Sequence, residues 1–510
     1  MIRRDPDAAG GHEHDLIVVG GGIYGACLTL EAARRGLRPL LLERGDFGEA
    51  TSWNSLRILH GGFRYLPRHD LQRFRQSVHE RRWFCRTFPE LVRPLECLMP
   101  LYGEGLKRPF LFGPALWLND RLSSRRNRGV RPDRHLPGGR LLGVDETIQR
   151  FPSVIRQGLR GAGLWYDAAM INSQRILIEI LRWACSLGAT VLNYVEAVAL
   201  EQHGGQVRGI RARDLVDGTD RLFAARVVCN CAGPWSAELA ARFDRPVPAL
   251  FRPSLAFNLL LDRDPPSAAA VAVAPRRSSG GTREPVYFLT PGFGRVVAGT
   301  VHLPWHGGID RAQPGEEAIQ RFLTDLNTAI PDLAVGREHV IRVFAGLLPA
   351  TEHGSERLAA RPLVWDHGCD GGPRGLVSVS GVKFTTARLV AEQTLRVLQP
   401  RLGALPPPGE GDRPEQVGGI DFDCAPASTF SPEQVQALTA IVRDEAVMSV
   451  DDLLLRRTSW GITACDVDGV RHRVIAALGW KGEPHGRRDP LAAADVQPHA
   501  QEKTAAGRPA

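Results

Sequence analysis

A glycine-rich turn between an apolar strand and a helix is the feature that most restricts the fold of this chain. Residues 16–19 are apolar, and they lead into Gly20-x-Gly22-x-x-Gly25 and a helix-like segment. Such a turn brings backbone N–H groups and a helix N-terminus close to a pyrophosphate. Glu43 ends the next apolar run, where a carboxylate accepts hydrogen bonds from an adenosine ribose and repels a 2′-phosphate. The sequence therefore predicts a βαβ unit that binds FAD or NAD, and it disfavours NADP.

The length and composition of the chain indicate several domains and no membrane-spanning helix. Its 510 residues are too many for one compact core, and 43% of them are hydrophobic and 24% charged. No uncharged apolar run reaches about 18 residues, and the polar N-terminus does not resemble a secretory signal. The nine cysteines lack metal-ligand spacing, so we expect reduced thiols, no metal site and a cytoplasmic location.

The basic charge of the chain does not identify a partner by itself. A net charge of +8 is compatible with nucleic acid, a membrane surface or an anionic substrate. The arginines are dispersed and form no recognisable nucleic-acid-binding motif, so no nucleic-acid partner is predicted. His302 and His306 are not predicted as a metal pair, because Pro304 between them prevents a helix.

Hydrophobic periodicity predicts a βαβ unit first and helices last. Helical spacing covers residues 70–95 and 173–187, and a β-meander covers 197–231. Two strand-turn-helix segments, near 225–240 and 375–398, are expected to rejoin the first sheet. The strand-rich segments between them are expected to form a second layer.

Four motifs give the chain a resemblance to a known family. TSWNSLRILHGGFRYL (51–66) resembles the signature T-S-x-x-S-x-K-x-I-H-G-G-x-R-Y-L of the FAD-dependent glycerol-3-phosphate dehydrogenases. CNCAGPWS (229–236), SGVKFTTAR (380–388) and VDDLLLRRT (450–458) are similar to further motifs of that family, in the same order. The family belongs to the glycine-oxidase and D-amino-acid-oxidase-like flavoproteins. The resemblance implies FAD as the cofactor.

The resemblance also implies an α/β fold with three parts. These are a Rossmann-like FAD-binding domain, a mixed antiparallel β-sheet substrate domain and a C-terminal helical domain. The expected boundaries are 14–400 for the oxidoreductase (FAD-binding segments about 14–75, 145–245 and 370–400; substrate or cap segments about 76–144 and 246–369), 401–425 for a linker, 426–481 for the helical domain and 482–510 for a disordered tail.

By family resemblance, Arg64 and Lys383 face the substrate, and His60 joins them as a catalytic residue. Gly381 is expected to open a helix whose partial positive charge faces the flavin. Thr51 and Ser52 are expected to cap a short helix near the pyrophosphate. The expected cofactor-binding residues are Gly20, Gly22, Gly25, Glu43, Arg44, Thr51, Ser52, Arg57, Gly61, Gly62, Ala197, Gly233, Gly381, Lys383, Phe384 and Thr385.

Several positions depart from the family pattern. Leu348 stands where the family has Arg, and Leu255 is aligned with a family His in the pocket. Arg57, Val382 and His302 stand where the family has Lys, Gly and Asp. The cofactor frame is therefore expected to be intact, while part of the substrate pocket has changed.

The resemblance implies oxidation of sn-glycerol 3-phosphate to dihydroxyacetone phosphate, with hydride transfer to flavin and electrons passed to quinone. The expected substrate class is a small anionic polyol phosphate. The alternative is an FAD-dependent oxidoreductase of the same superfamily that acts on another hydroxy or amino acid, because of Leu348 and Leu255. A non-catalytic or cofactor-modifying flavoprotein is a second alternative.

A short basic and apolar segment predicts peripheral membrane contact. In LKRPFLFGPALWLNDRL (106–122), Lys107 and Arg108 precede a stretch rich in Phe, Leu and Trp that is too short to span a bilayer. The expected location is the cytoplasm, or the inner face of the cytoplasmic membrane. An ordinary buried helix or hairpin remains the alternative for this segment.

Overall fold

The computed structural model describes residues 1–103, 108–275, 285–310, 312–409, 411–415, 420–422, 424–426, 428–464 and 466–480. The strands are β1 Leu16–Val19, β2 Pro39–Leu42, β3 Ile58–Leu59, β4 Val92–Pro100, β5 Arg140–Leu142, β6 Ala162–Met170, β7 Thr190–Leu192, β8 Val195–His203, β9 Gln206–Asp214, β10 Asp220–Ala224, β11 Val228–Asn230, β12 Pro253–Leu261, β13 Ala270–Val273, β14 Tyr287–Gly292, β15 Arg295–Pro304, β16 Val340–Pro349, β17 Leu363–Asp366 and β18 Leu376–Ser380. The α-helices are α1 Pro6–Gly10, α2 Ile23–Ala33, α3 Leu71–Thr87, α4 Pro109–Leu122, α5 Val144–Arg150, α6 Ser173–Ser186, α7 Ser236–Phe243, α8 Glu316–Ala329, α9 Ala387–Leu402, α10 Pro432–Asp444, α11 Trp460–Thr463 and α12 Val467–Ala477.

A six-stranded sheet forms the centre of the dinucleotide-binding part. Its order is β17-β18-β11-β1-β2-β7, and only β17 runs antiparallel to its neighbour. Helices α2, α6 and α9 cover one face, and the three-stranded sheet β10-β9-β8 and α7 cover the other. Because both faces are covered, β1, β2 and β18 are buried along their whole length, which explains their continuous apolar sequences.

A nine-stranded sheet forms the second large layer. Its strands follow the order β16-β12-β15-β14-β13-β4-β6-β3, with β5 paired to β6. All pairs are antiparallel except β13 with β4, so the predicted mixed antiparallel sheet is confirmed. Phe322 of α8 packs against Phe257 of β12, which gives this sheet a core of its own.

The C-terminal region is helical, as predicted. Helices α10, α11 and α12 and a π-helical turn over 452–457 enclose a small apolar core around Leu438, Leu454 and Trp460. The expected tail, 482–510, lies outside the described residues. In the described part of the chain, no helix is both long enough and apolar enough to cross a bilayer.

One helix is shorter than its sequence pattern predicts. The expected helix over 70–95 ends at Thr87, and β4 begins at Val92. Phe88 leaves the helical conformation (φ −125°, ψ 59°) because it precedes Pro89, which disfavours helical geometry in the residue before it.

Three strands pair in a different sheet from the one that the expected domain segments predict. Strands β3 and β6 lie in segments expected to bind the cofactor, but both pair within the nine-stranded sheet. Strand β17 lies in an expected cap segment, but it pairs with β18 of the six-stranded sheet. We propose the expected domain boundaries with these three strands reassigned.

Candidate active site

A cavity of about 1930 Å³ lies where the two large sheets meet. Its wall includes the carboxyl ends of β1 and β2, at Val19 and Leu42, and residues of β12, β15 and β16. In open α/β sheets, ligands bind at the carboxyl ends of the parallel strands. The cavity is therefore in the position that the glycine turn predicts for a bound dinucleotide.

Close packing requires glycine at two of the three positions of the turn, Gly20 and Gly25. Gly20 has φ +109°, and a Cβ there would lie 2.6 Å from the carbonyl oxygen of Cys231. A Cβ at Gly25 would lie 1.9 Å from the carbonyl oxygen of Gly20, so Gly25 packs behind the turn and not against the cavity. Gly22 lines the cavity and is the N-cap of α2, so the N-terminus of this helix lies at the cavity.

The carboxylate of Glu43 braces this turn from the end of β2. Its two oxygens accept hydrogen bonds from the backbone N–H of Gly21 at 2.6 Å and of Gly45 at 2.8 Å. Burial raises the pKa of Glu43, and the two backbone donors oppose that rise. Glu43 also lines the cavity, as its predicted contact with a ribose requires.

Arg44 follows Glu43 at the edge of the cavity. Its guanidinium stacks over the ring of Trp235 at 4.2 Å, and the indole N–H of Trp235 donates to Asp310 at 2.7 Å. These contacts connect the end of β2 to the segment that follows β15. Trp235 also lines the cavity.

The prediction that Thr51 and Ser52 cap a short helix is wrong. Ser52 Oγ accepts a hydrogen bond from the backbone N–H of Ile23 at 2.9 Å, so it holds the start of α2 and not a short helix of its own. Thr51 Oγ1 donates to the carbonyl oxygen of Leu347 at 3.1 Å, which ties this segment to β16. Residues 50–53 form a turn and not a helix, so there is no local helix to cap. Both side chains therefore bond to distant parts of the chain.

Arg64 and Lys383 meet at one hydroxyl group in the cavity wall. Arg64 Nε and Nη2 donate to the Tyr65 hydroxyl oxygen at 3.3 and 3.1 Å, and Lys383 Nζ donates to the same oxygen. Tyr65 itself is buried. Among the described residues, neither cation forms an ion pair with a carboxylate, so the cluster carries unbalanced positive charge.

This positive cluster changes the protonation of the groups around it. Burial and the charge of Arg64 lower the pKa of Lys383 from 10.5 to about 7. The same two causes lower the pKa of His302 to about 4, so its imidazole is neutral at neutral pH. Although Arg64 is exposed to the open cavity, desolvation by the surrounding protein lowers its own pKa, and Asp167 opposes this.

His60 lines the cavity and is held from behind by a buried carboxylate. Its Nδ1 lies 3.2 Å from Asp167 Oδ2. The backbone N–H of Gly61 and Nη1 of Arg81 both donate to Asp167 Oδ1 at 2.6 Å. Burial would raise the pKa of Asp167, but the hydrogen bond from His60 and the charge of Arg81 lower it to about 2.

The helix that was expected to begin at Gly381 begins three residues later, at Phe384. Lys383 is the N-cap of a short 3₁₀ helix, Phe384–Thr386, and α9 follows it. Gly381 is needed for another reason, because a Cβ there would lie 1.8 Å from the ring of Tyr24. The Tyr24 hydroxyl accepts from the backbone N–H of Lys383 and donates to its carbonyl oxygen, both at 2.8 Å.

The structure brings most of the other expected residues to the same cavity. The further expected residues that line it are Arg57, Gly62, Ala197, Gly233, Phe384 and Thr385. Arg57 is already engaged, since its Nη1 donates to the carbonyl oxygen of Ile171 at 2.8 Å and its guanidinium stacks on Phe293. Gly61 packs behind the wall, where a Cβ would lie 2.2 Å from Arg81.

The two leucines that depart from the family pattern lie in different places. Leu348 lines the cavity, as expected. Leu255 does not fill the expected pocket position: it is 1% exposed and belongs to the core beneath α8, while Ala256 and Asn258 of the same strand line the cavity. The reason is the alternation of side chains along β12, which turns Leu255 to the opposite face of the sheet.

Sequence reasoning missed Tyr65, Asp167 and His302 as parts of the site. Tyr65 lies inside the quoted signature, and the predicted role of its neighbour Arg64 could have indicated that Tyr65 also belongs to the site. Asp167 is a single acidic residue in the apolar strand AGLWYDAAM, and that pattern predicts a buried, paired carboxylate. His302 was noted as a departure from the family pattern and as half of a rejected metal pair with His306, but not as part of this site.

Comparison with known proteins agrees with this geometry. A family model described as FAD dependent oxidoreductase matches residues 15–395. Glycerol-3-phosphate dehydrogenase 1 of Mycobacterium bovis is 31% identical over 517 residues, which cover 92% of this chain and 94% of that protein. Glycerol-3-phosphate dehydrogenase of Synechocystis sp. is 29% identical over 408 residues, which cover 78% of this chain and 71% of that protein.

A solved structure shows the same fold. The glycerol-3-phosphate dehydrogenase from Bacillus halodurans complexed with FAD matches with a TM-score of 0.67 and 20% identity, covering 93% of this chain and 92% of that one. The family model gives FAD as the cofactor, which resolves the choice between FAD and NAD left open by the glycine turn. The chain belongs to the family of FAD-dependent oxidoreductases.

Proposed function

We propose that this enzyme oxidises sn-glycerol 3-phosphate to dihydroxyacetone phosphate and passes the electrons to a quinone. The observation that carries the proposal is the positive cluster of Arg64 and Lys383, which share the Tyr65 hydroxyl in the wall of the cofactor cavity. The names of the curated relatives support the same substrate.

The residues of the cavity fit FAD. The Gly20 and Gly25 positions leave no room for a Cβ, and the N-terminus of α2, at Gly22, lies at the cavity with the partial positive charge that favours a pyrophosphate. Glu43 provides acceptor oxygens at the end of β2, close to this turn. A volume of about 1930 Å³ accommodates a dinucleotide together with a small substrate.

The positive cluster fits an anionic group of the substrate. Two cations that have no carboxylate partner among the described residues repel each other, and an anion between them removes that cost. An anion near Lys383 also favours the charged form of its ammonium group, whose pKa is lowered to about 7 in the free protein. A phosphate is therefore a better ligand for this cluster than a neutral polyol.

Oxidation of the substrate alcohol releases one hydride from C2 and one proton from its hydroxyl group. Bound FAD supplies the acceptor for the hydride. His60 accepts the proton, since it lines the cavity and its Nδ1 side is held by Asp167. Arg64 and Lys383 hold the phosphate and stabilise negative charge that develops on the alcohol oxygen.

One observation favours the alternative, oxidation of another hydroxy or amino acid. Leu348 places an apolar side chain in the cavity wall, where an arginine would have added a bidentate phosphate contact. A substrate with a smaller or less charged anionic group would lose less binding affinity from having Leu348 in place of an arginine. Both candidate functions use FAD. They differ in the chemical group of the substrate that contacts Leu348.

Anaerobic reduction of the flavin distinguishes the two. The purified holoenzyme is mixed without oxygen with glycerol phosphates, hydroxy acids and amino acids in turn, and bleaching of the flavin absorbance is followed. We expect sn-glycerol 3-phosphate to bleach the flavin fastest. Faster bleaching by a carboxylic acid that carries no phosphate would support the alternative.

Helix α4 supports the proposed membrane contact. Phe110 and Trp117 are 68% and 67% exposed and lie two turns apart, while Phe112 and Leu116 of the opposite face are buried. Arg108 and Arg121 are exposed at the two ends of the helix, and Lys107 lies outside the described residues. An apolar row between basic residues is typical of a helix that lies in a membrane interface, where the quinone is dissolved.

Two experiments test the membrane and quinone parts of the proposal. In flotation with anionic liposomes, the wild type should float, the Trp117→Asp variant should float less, and the control Leu222→Asp, at an exposed leucine of β10, should behave like wild type. A wild type that stays at the bottom contradicts membrane contact. Reduced enzyme should be reoxidised faster by a quinone analogue than by dioxygen, and the reverse order contradicts the quinone acceptor.

A further inference from the structure

A buried carboxylate lies directly behind His60. Asp167 is near the middle of β6, and its side chain is only 4% exposed. The antiparallel pairing of β3 with β6, in which Leu59 lies opposite Ala168, places the residue after β3 next to this carboxylate. Two residues that are 107 positions apart in sequence therefore meet because of sheet register.

The contacts of Asp167 leave one oxygen for the imidazole. Its Oδ1 accepts from the backbone N–H of Gly61 and from Arg81 Nη1, each at 2.6 Å. Its Oδ2 lies 3.2 Å from His60 Nδ1. Because an ionised carboxylate can only accept, the nitrogen that faces it must carry the proton. The other nitrogen of a neutral imidazole, Nε2, then has a free lone pair.

The rest of the His60 ring is directed toward the cavity. The side chain is 31% exposed and lines the cavity, and its ring makes an edge contact with Phe288 at 5.7 Å. We infer that Asp167 is a positioning residue that fixes the tautomer of His60, so that Nε2 faces the substrate as a ready proton acceptor. This inference rests on the proposed function, in which His60 receives the proton of the substrate alcohol.

The surroundings of Asp167 keep it ionised for this task. Besides His60, the titratable groups that face it are Arg81 of α3, Arg64 across the cavity wall, and the thiols of Cys85 and Cys97. Burial raises the pKa of both thiols, so they remain neutral. Arg81 balances the charge of Asp167, so the pair orients the imidazole without adding net negative charge to the cavity.

Asp167→Asn separates this role from a purely structural one. The amide oxygen can still accept from Gly61 and Arg81, so the contacts that hold the strands together remain. The amide NH₂ group then faces His60 Nδ1 and donates to it, which forces the imidazole proton onto Nε2. A structural role predicts little change, whereas a positioning role predicts loss of the proton acceptor.

The rate of anaerobic flavin reduction by sn-glycerol 3-phosphate is the first measurement. We expect Asp167→Asn to keep its FAD spectrum but to melt at a lower temperature, because buried Arg81 loses its counter-charge. We expect it to lower kcat by about a hundredfold or more, because general-base catalysis contributes that much and the wrong tautomer removes it. In a His60→Gln background the same substitution should have little further effect, because Asp167 acts through His60. A wild-type rate in the single variant, or fully additive losses in the double variant, would overturn the inference.

A second measurement does not depend on the substrate. In holoenzyme labelled with ¹⁵N-histidine, the His60 signals, assigned by their loss in His60→Gln, report which nitrogen carries the proton. We expect Nδ1–H in the wild type and Nε2–H in Asp167→Asn, and Nε2–H in the wild type would overturn the inference. If glycerol 3-phosphate fails to reduce the wild-type flavin while these signals behave as expected, the proposed function fails and the tautomer assignment stands.

Discussion

The guanidinium of Arg457 donates two hydrogen bonds to the carboxylate of Asp46, at 2.7 and 2.9 Å, across 411 residues of sequence. Arg456 donates to the same carboxylate at 2.7 Å, and all three side chains are fully or almost fully buried. The two arginine charges outweigh burial and lower the pKa of Asp46 to about 2. Asp46 follows shortly after Glu43, so the C-terminal helical region is fastened to the loop that braces the glycine turn.

We predict that Arg457→Met destabilises the enzyme and weakens FAD retention. Removing one partner of a buried ion pair leaves an uncompensated charge and costs about 3–5 kcal/mol. Thermal unfolding and the flavin fluorescence released on dilution measure the two effects. The control Arg443→Ala removes an ion pair whose arginine is 70% exposed, and it should change neither. Wild-type FAD retention in Arg457→Met would show that the ion pair of Arg457 with Asp46 does not stabilise the cofactor site.

The glycine turn provides the second prediction. Gly22→Leu should yield a colourless apoprotein, because a side chain at this N-cap occupies the space that the pyrophosphate needs and displaces Ser52 Oγ, which a Cβ would approach to 3.2 Å. The control Gly143→Ala changes a helix N-cap with no atom within 4 Å of the added Cβ, and it should remain yellow. The ratio of flavin to protein absorbance decides the matter, and full FAD content in Gly22→Leu contradicts the assignment.

Local patterns predicted the fold, whereas pairing over long distances decided much of the site. Gly20, Gly22 and Gly25 could be assigned from sequence because strand, turn and helix are neighbours along the chain. Asp167 could not, since its contact with His60 depends on the register of β3 against β6. Leu255 was misplaced for a related reason, because the face of β12 on which a residue lies depends on the register of the whole sheet.

Arg64→Ala should matter more for turnover than for folding. The variant should keep FAD and its melting temperature, since Arg64 forms no ion pair among the described residues, and it should lose most of kcat/KM. Loss of a hydrogen bond to a charged group costs about 1.5–3 kcal/mol, which is more than tenfold. Arg75→Ala, at an exposed arginine of α3, is the control. Normal turnover by Arg64→Ala would remove this residue from the site.

The protonation of Lys383 should make substrate binding depend on pH. Its pKa of about 7 means that the ammonium group loses its charge as the pH rises above 7, so affinity for an anion falls in that direction. The charge of a phosphate monoester is nearly constant there, because its second pKa is about 6. We expect KM to rise by up to about tenfold per pH unit between 7 and 9. Lys383→Arg stays charged and should abolish the rise, and a flat wild-type profile would contradict the assignment.

The last prediction concerns Leu348 and the identity of the substrate. A phosphate dianion in a closed pocket needs several donors, and bidentate arginine contacts are the strongest available. Leu348 provides none. Arg57 and Arg357 both line the cavity, but Arg57 already donates to the carbonyl oxygen of Ile171. If Arg357 does not compensate, glycerol 3-phosphate should have a high KM, and Leu348→Arg should lower it by more than about tenfold.

A conservative substitution at the neighbouring position provides the control for this prediction. Leu347→Met conserves volume at a buried leucine beside Leu348 and should leave KM unchanged. A micromolar KM in the wild type that rises in Arg357→Ala would identify Arg357 as the missing donor. In that case an arginine from the segment after β16 holds the phosphate, and Leu348 marks a relocated contact in a pocket that still selects glycerol 3-phosphate.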